Sequence, residues 1–266
     1  MRRLRILVLM HPDCVPPDKI AGYSAQEKSA WKTEFDVVST LRAAGHDVRP
    51  LGVQDELKPV RDGIEGFKPH VAFTLLEKYH GELIYDQNVA SYLELMQVPY
   101  TGCNPRGLLL ARGKDLSKTL AHYRRIPVPA FAVFPMRHKV KRPARLALPL
   151  IVKSLSEDAS YGISQASVVE NEEQLNKRVQ FIHEKIDNDV IAEEYIEGRE
   201  LYVSTMGNHR LQVFPIRELL FKEVPPDEPK IATYRAKWDE EYRKRWGLQN
   251  RFADGLDAAV TGGCAG

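Results

Sequence analysis

The sequence predicts an α/β protein with a mainly parallel, Rossmann-like sheet in residues 1–102 and antiparallel sheets in the remainder. Two observations carry the first half. The stretch from Leu4 to Met10 is apolar throughout after Arg5, as in a strand covered on both faces. Strand and helix signals then alternate, the rhythm of a parallel sheet with crossover connections. A third observation carries the second half: after Gly102 the chain turns to apolar runs of strand length separated by turns.

Taken in order, the N-terminal elements are as follows. Trp31, Phe35, Val38 and Leu41 recur at helical spacing, and Gly45 is placed to end that helix. Val48 to Val53 reads as a second strand, and Pro69 to Leu75 contains a third centred on Val71, Ala72 and Phe73. A helix with Val89, Leu93 and Met96 on one stripe follows, and Val98 to Gly102 reads as a strand and turn. Asn104-Pro105 suits an N-cap followed by proline at the first helical position. A further helix is expected from Lys114 to Tyr123.

In the second half Val128 to Phe134, Leu148 to Lys153 and Ile163 to Val169 read as antiparallel strands. The basic stretch between the first two, with Arg137, His138, Lys139, Lys141, Arg142 and Arg145, reads as a solvated hairpin. It lacks the interleaved aromatic residues that stack on bases. Asn171 to Gln174 has the form of a capping box, opening a helix that buries Leu175, Val179, Ile182 and Ile186. Strands are expected at Val190 to Ala192 and Leu201 to Thr205, the latter turned by Gly207-Asn208 into Leu211 to Ile216. Pro225 to Pro229 reads as a loop, and the small, glycine-rich Ala258 to Gly266 as a frayed tail.

Bulk properties narrow the classes. The chain has 266 residues, 43% hydrophobic and 28% charged, with a net charge of +2. That length suffices for two domains, and that charge gives no electrostatic case for nucleic acid or an acidic membrane. Cys14, Cys103 and Cys264 are far apart and form no CxxC pair, which argues against a disulfide framework or a cysteine zinc site and for a reduced, cytoplasmic setting. The apolar run Ile6 to Met10 is too short for a signal-peptide core, and no stretch is long enough to span a bilayer.

Four features could carry chemistry, and each has a plain structural alternative. Lys153 closes the apolar strand Pro149 to Lys153, where its ammonium reaches a ligand or snorkels into water. Ser156 to Ile163 mixes hydroxyl residues with Gly162, and reads either as a β-turn or as a flap whose N–H groups cradle phosphates. Ile191 to Leu201 holds four carboxylates around Gly198, suiting a charged surface turn or a linker that meets a base and a ribose. Lys114 opens a helix against its dipole, an arrangement a bound phosphate would relieve.

In their order and spacing these segments resemble the ATP-grasp superfamily, and within it the D-alanine–D-alanine ligase-like branch. The match runs through Leu93 to Gly102, Gly113 to Lys118, Ile126 to Pro129, Pro149 to Lys153, Gly162 to Ser164 and Ala192 to Leu201, covering roughly residues 4–240. The resemblance implies a Rossmann-like pre-ATP-grasp domain over 1–102, a central ATP-grasp subdomain over 103–192 and an incomplete C-terminal lobe over 193–266. It implies ATP as ligand, with Lys114 and Lys153 on the phosphates and Ser160 and Gly162 in the flap over them. Glu193, Glu194 and Ile196 fall at the adenine, Glu200 at the ribose, and Lys237, in Ala236-Lys237-Trp238, on the mobile loop that reaches the terminal phosphate.

The activity so implied joins a small-molecule carboxylate to an amine through an acyl-phosphate, with Mg²⁺. Homodimers are common in the family. The strands that bear the family's Mg²⁺ ligands are expected beyond Gly266, so a nucleotide-binding chain without turnover is the alternative. Cys14 to Asp18 stands where the family's acidic D-alanine motif is expected, which points to a different carboxylate substrate. Asp158 and Tyr161 replace the flap's usual small residues.

Overall fold

A computed structural model describes residues 2–20, 22–225 and 228–257. The expected tail from Ala258, Cys264, and Pro226-Asp227 of the expected loop lie outside the described residues. The chain divides into two compact units, Met1–Ser117 and Lys118–Gly266.

The N-terminal unit contains β1 (Arg5–Met10), α1 (Ala25–Ala30), α2 (Lys32–Ala43), β2 (Asp47–Gly52), α3 (Lys58–Phe67), β3 (Val71–Thr74), α4 (Asp86–Leu95) and α5 (Pro105–Arg112). The sheet has the order β2-β1-β3, parallel throughout. The central strand explains its own composition. Leu7 and Leu9 pack with Val60, Ile64 and Leu93 on one face, while Ile6, Val8 and Met10 pack with Val38 and Val48 on the other. A strand buried on both faces has no position for a polar side chain.

Asn104 caps α5, its side chain accepting from Gly107 N at 2.8 Å. The Val98 to Gly102 segment contributes one parallel bridge, Ala72 to Tyr100, rather than a strand. Helix α3 has no counterpart in the sequence reading, because Gly63 and Gly66 lower its intrinsic propensity. Val60, Ile64 and Phe67 override that cost by packing into the core, and a Cβ on Gly63 would stand 3.2 Å from Leu51 Cδ2.

Helix α6 (Lys114–Tyr123) crosses from one unit into the other along the chain. The C-terminal unit then contains β4 (Phe131–Phe134), β5 (Leu150–Ser154), β6 (Val168–Val169), α7 (Glu172–Lys185), β7 (Val190–Glu194), β8 (Glu200–Tyr202), β9 (Thr205–Met206), β10 (Gln212–Val213), β11 (Arg217–Phe221), α8 (Tyr234–Trp238), α9 (Glu240–Arg245) and β12 (Leu248–Phe252). One antiparallel sheet has the order β4-β7-β5-β6 and a second the order β12-β11-β8, with β9 and β10 as a separate hairpin.

This order corrects the hairpin reading of the basic stretch. Strand β7 lies between β4 and β5, so residues 135–149 cross over it instead of turning back. The connection is fastened: Leu146 is fully buried in the α7 core, and Arg142 Nε donates to Glu172 Oε1 at 2.6 Å. The strand expected from Ile163 shrinks to Val168–Val169, preceded by a 3-10 turn over Gln165–Ser167. Asn171 caps α7 by accepting from Gln174 N at 2.9 Å. Gln174 returns its side chain to Glu170 N at 2.7 Å, one residue short of the N-cap, so the reciprocal half of the box is displaced. Among the described residues no helix is long and apolar enough to cross a membrane.

Candidate functional site

Alternation along β5 and β7 builds the site. Leu150 and Val152 of β5, and Val190 and Ala192 of β7, belong to the core beneath α7 with Leu175, Val179 and Ile182. Successive side chains of a strand point to opposite faces. Ile151 and Lys153 therefore share the other face with Ile191 and Glu193, in the register Ile151↔Glu193 and Lys153↔Ile191.

On that face Lys153 Nζ donates to Glu193 Oε2 at 3.0 Å. Lys118 Nζ, delivered by α6, stands 3.1 Å from the same oxygen. The side chain of Glu193 is 5% exposed, those of Lys118 and Lys153 17% and 22%. The second oxygen, Glu193 Oε1, is buried and has no hydrogen-bond partner among the described residues. One carboxylate thus fixes two ammonium groups, and the trio keeps one net positive charge. An anion is the complement of that charge, and an N–H donor is the complement of Oε1, since a buried acceptor left unpaired is costly.

Beside this trio the chain leaves β7. Glu194 N donates to Ala130 O at 2.8 Å and Tyr195 N to Pro149 O at 3.0 Å. A cleft of about 970 Å³ follows, its walls including Pro149, Val168, Tyr195, Arg199 and Lys230. Val168 is the register partner of Ile151, and Lys153 and Glu193 are not among the walls of this cleft.

The flap region is locally determined. Gly162 has φ +73°, a backbone conformation that favours glycine, and a Cβ there would lie 2.2 Å from the terminal Ile186 Cδ1 methyl, which would have to move aside. Ser160, at φ 63°, donates its hydroxyl to Ala232 O at 2.7 Å. Tyr234 N donates to Ile163 O at 3.1 Å, and the rings of Tyr161 and Tyr234 meet edge-on at 6.3 Å. The flap is thereby joined to the segment that carries α8 and Lys237.

The other expected residues fall as follows. Lys114 is the first residue of α6, four positions before Lys118. Glu194 follows Glu193 onto the opposite face of β7 and is exposed; with His122, Arg145 and Leu146 it lines a separate hollow of about 520 Å³. Ile196 is 61% exposed beyond the strand end. Glu200 Oε1 accepts from Tyr202 OH, and burial and Glu200 together push the Tyr202 hydroxyl well above its ordinary pKa. Lys237 is exposed on α8, whose Ala236 is buried. The structure therefore brings Lys153 and Glu193 into contact and ties Ser160 to the segment ahead of Lys237. Sequence reasoning assigned no role to Lys118; its signal was the four-residue spacing from Lys114, which puts both lysines on one side of a helix.

Two antiparallel sheets, a strand lysine paired with a strand-end glutamate, and a glycine flap between strands define an ATP-grasp protein. The D-ala D-ala ligase C-terminus family matches residues 120–250. The protein y4sG of Sinorhizobium fredii is 33% identical over 210 residues, 76% of this chain and 59% of its own length. The D-alanine–D-alanine ligase of Desulfotalea psychrophila is 32% identical over 170 residues, 63% of this chain and 50% of its own. The crystal structure of the D-alanine–D-alanine ligase of Bacillus anthracis complexed with ATP superposes with a TM-score of 0.65 at 21% identity, covering 97% of this chain and 73% of that one. The chain belongs to the D-alanine–D-alanine ligase-like branch of the ATP-grasp superfamily. It spans 59% and 50% of the length of the two relatives described.

Proposed function

We propose that the chain binds ATP on the lysine–glutamate face of its four-stranded sheet and serves an ATP-dependent carboxylate–amine ligase. The observation that carries this reading is the trio Lys118, Glu193 and Lys153, with the buried, unpartnered Glu193 Oε1. The residues fit the nucleotide. Oε1 is an acceptor suited to the amino group of a base, and the two ammonium groups suit phosphate oxygens. When bound, ATP supplies the phosphoryl group that activates a carboxylate for attack by an amine.

The chain's own part is positioning and charge. Glu193 holds Lys153 and Lys118 in place before ligand arrives, so little reorganisation accompanies charge development. Lys114 and Lys237 add cationic groups from α6 and α8. Ser160 and Gly162 shape the flap that covers the phosphates. Glu194 and Ile196 carry the linker past the base, and Glu200, steadied by Tyr202, meets the ribose. In this reading residues 1–102, 103–192 and 193–266 serve as the pre-ATP-grasp, central and C-terminal parts. Among the described residues no group of three His, Cys, Asp or Glu side chains converges to hold a metal, so none is assigned to Mg²⁺. The substrates are a small carboxylate and an amine, D-alanine being disfavoured by Cys14 to Asp18.

The test is phosphate release from ATP with Mg²⁺ and a panel of amino acids, for the chain and for Lys153→Ala. Release that needs an amino acid and falls at least about a hundredfold in the variant is expected, the size typical of losing one preorganised charge at a transferring group. Nucleotide binding with no release under any condition would refute the ligase and leave a binding module.

A further inference from the structure

Helix α7 buries one charged residue among its apolar stripe. Arg178 sits beside Leu175, Val179 and Ile182, is 8% exposed, and among the described residues has no carboxylate partner. Its guanidinium Nη2 donates to Gly162 O and, at 2.8 Å, to Ser167 Oγ, and its Cζ lies 4.7 Å over the Phe181 ring. Nε is buried without a partner among the described residues, and burial pulls the guanidinium below its ordinary pKa. An arginine buried without a counter-ion is costly, and an apolar residue would fill the same stripe at less expense.

What the cation does is visible in what it touches. Gly162 is the C-terminal hinge of the flap, fixed in the left-handed region and pressed against Ile186 of the same helical stretch. The N-terminal hinge is fastened elsewhere, by Ser156 Oγ to Asn188 Oδ1 at 3.0 Å and by Glu157 N to Ser154 Oγ at 3.3 Å. Arg178 supplies the side-chain donor that sets the direction of the Gly162 carbonyl, and hence the plane of the Gly162–Ile163 peptide. It also leaves a positive charge that no carboxylate pairs with among the described residues, at the C-terminal end of the flap.

We propose that Arg178 is a positioning residue for the flap: it orients the Gly162 peptide and lends its charge to hold the flap closed over a polyphosphate. This rests on the nucleotide reading above. It distinguishes two parts of one ligand, because the flap meets phosphates whereas Glu193 Oε1 meets the base. Arg178→Met keeps the stem and removes every donor; Arg178→Lys keeps the charge and one reaching donor.

The experiment is calorimetric titration of the full chain and both variants with ATP and, separately, with adenosine. The expected result is that Arg178→Met weakens ATP at least tenfold and leaves adenosine within twofold, while Arg178→Lys recovers most of the ATP affinity. Equal loss of ATP and adenosine in both variants would show a packing role and overturn the proposal, as would unchanged ATP affinity in Arg178→Met. A wild-type chain that binds adenosine but not ATP would also overturn it and leave the base site standing. Failure to bind either ligand would overturn the nucleotide reading itself.

Discussion

Glu193→Gln removes one charge from the trio and almost nothing else. The side chain keeps its shape, and an amide oxygen can still accept from Lys153 and Lys118, now 3.0 and 3.1 Å from Oε2. What is lost is the counter-charge of two ammonium groups, each of which keeps a hydrogen bond to a now neutral acceptor, at a side chain only 5% exposed. An exposed ion pair contributes about 0–1 kcal/mol and breaking a buried one costs about 3–5 kcal/mol, and the trio lies between the two. Both lysines keep roughly a fifth of their surface in water, which returns part of the loss. The net cost is therefore about 2 kcal/mol, below the roughly 3–5 kcal/mol of breaking a fully buried pair. For a chain of this size that corresponds to a fall in melting temperature of about 4–8 °C.

Differential scanning calorimetry without ligand measures it, with Glu194→Gln as control because Glu194 is exposed on the opposite face. That neighbour should change stability by less than about 0.5 kcal/mol. The double variant Glu193→Gln with Lys153→Met should cost less than the sum of its parts, since the interaction is removed once. Equal melting temperatures for Glu193→Gln and Glu194→Gln would refute the trio as an organised element.

Gly162→Ala should destabilise the chain by about 1–2 kcal/mol, mostly through left-handed strain, because the Ile186 Cδ1 methyl can move off the added Cβ; Gly162→Ala with Ile186→Ala should therefore recover little of the loss, as read by urea unfolding. Leu146→Ala should cost about 2–4 kcal/mol if the 135–149 connection is part of the core, and a cost below about 0.5 would refute its anchoring there. Glu218 is held below the ordinary carboxylate range, first by the Arg199 N–H donors at 2.8 and 2.5 Å. A depressed folded-state pKa gives stability that is complete above the unfolded value and is lost as pH falls through the folded one. The melting-temperature difference between the chain and Glu218→Gln should thus shrink on acidification below pH 4.5 and stay level above it.

Much of the fold was legible because the burial pattern is local. The all-apolar β1, the Asn104-Pro105 start of α5, and the bounds of α6 follow from single-segment rules. The misses have physical causes. Helix α3 was hidden by two glycines that tertiary packing tolerates. The placement of β7 between β4 and β5 is long-range pairing, which no local pattern encodes. Strands β11 and β12 run Arg217-Glu218-Leu219-Leu220-Phe221 and Leu248-Gln249-Asn250-Arg251-Phe252, so neither shows clean alternation.

The site divides in the same way. Lys153 and Glu193 stood out as charges at the ends of apolar strands, and their contact is the geometric result. Lys118 and Arg178 were missed because one reads as an ordinary helical surface residue and the other as a solvated position on α7. Arg178 did leave a signal: it stands three residues after Leu175 and four before Ile182, inside the stripe that the core requires.

The most direct measurement is calorimetric titration of the full chain and of Lys153→Ala with ATP, each with and without Mg²⁺. Saturable binding to the chain, weakened at least tenfold by Lys153→Ala, is predicted, since the variant removes a charge-assisted phosphate contact of about 1.5–3 kcal/mol. Saturable binding of equal strength to both proteins would contradict the placement of ATP on the Lys153–Glu193 face.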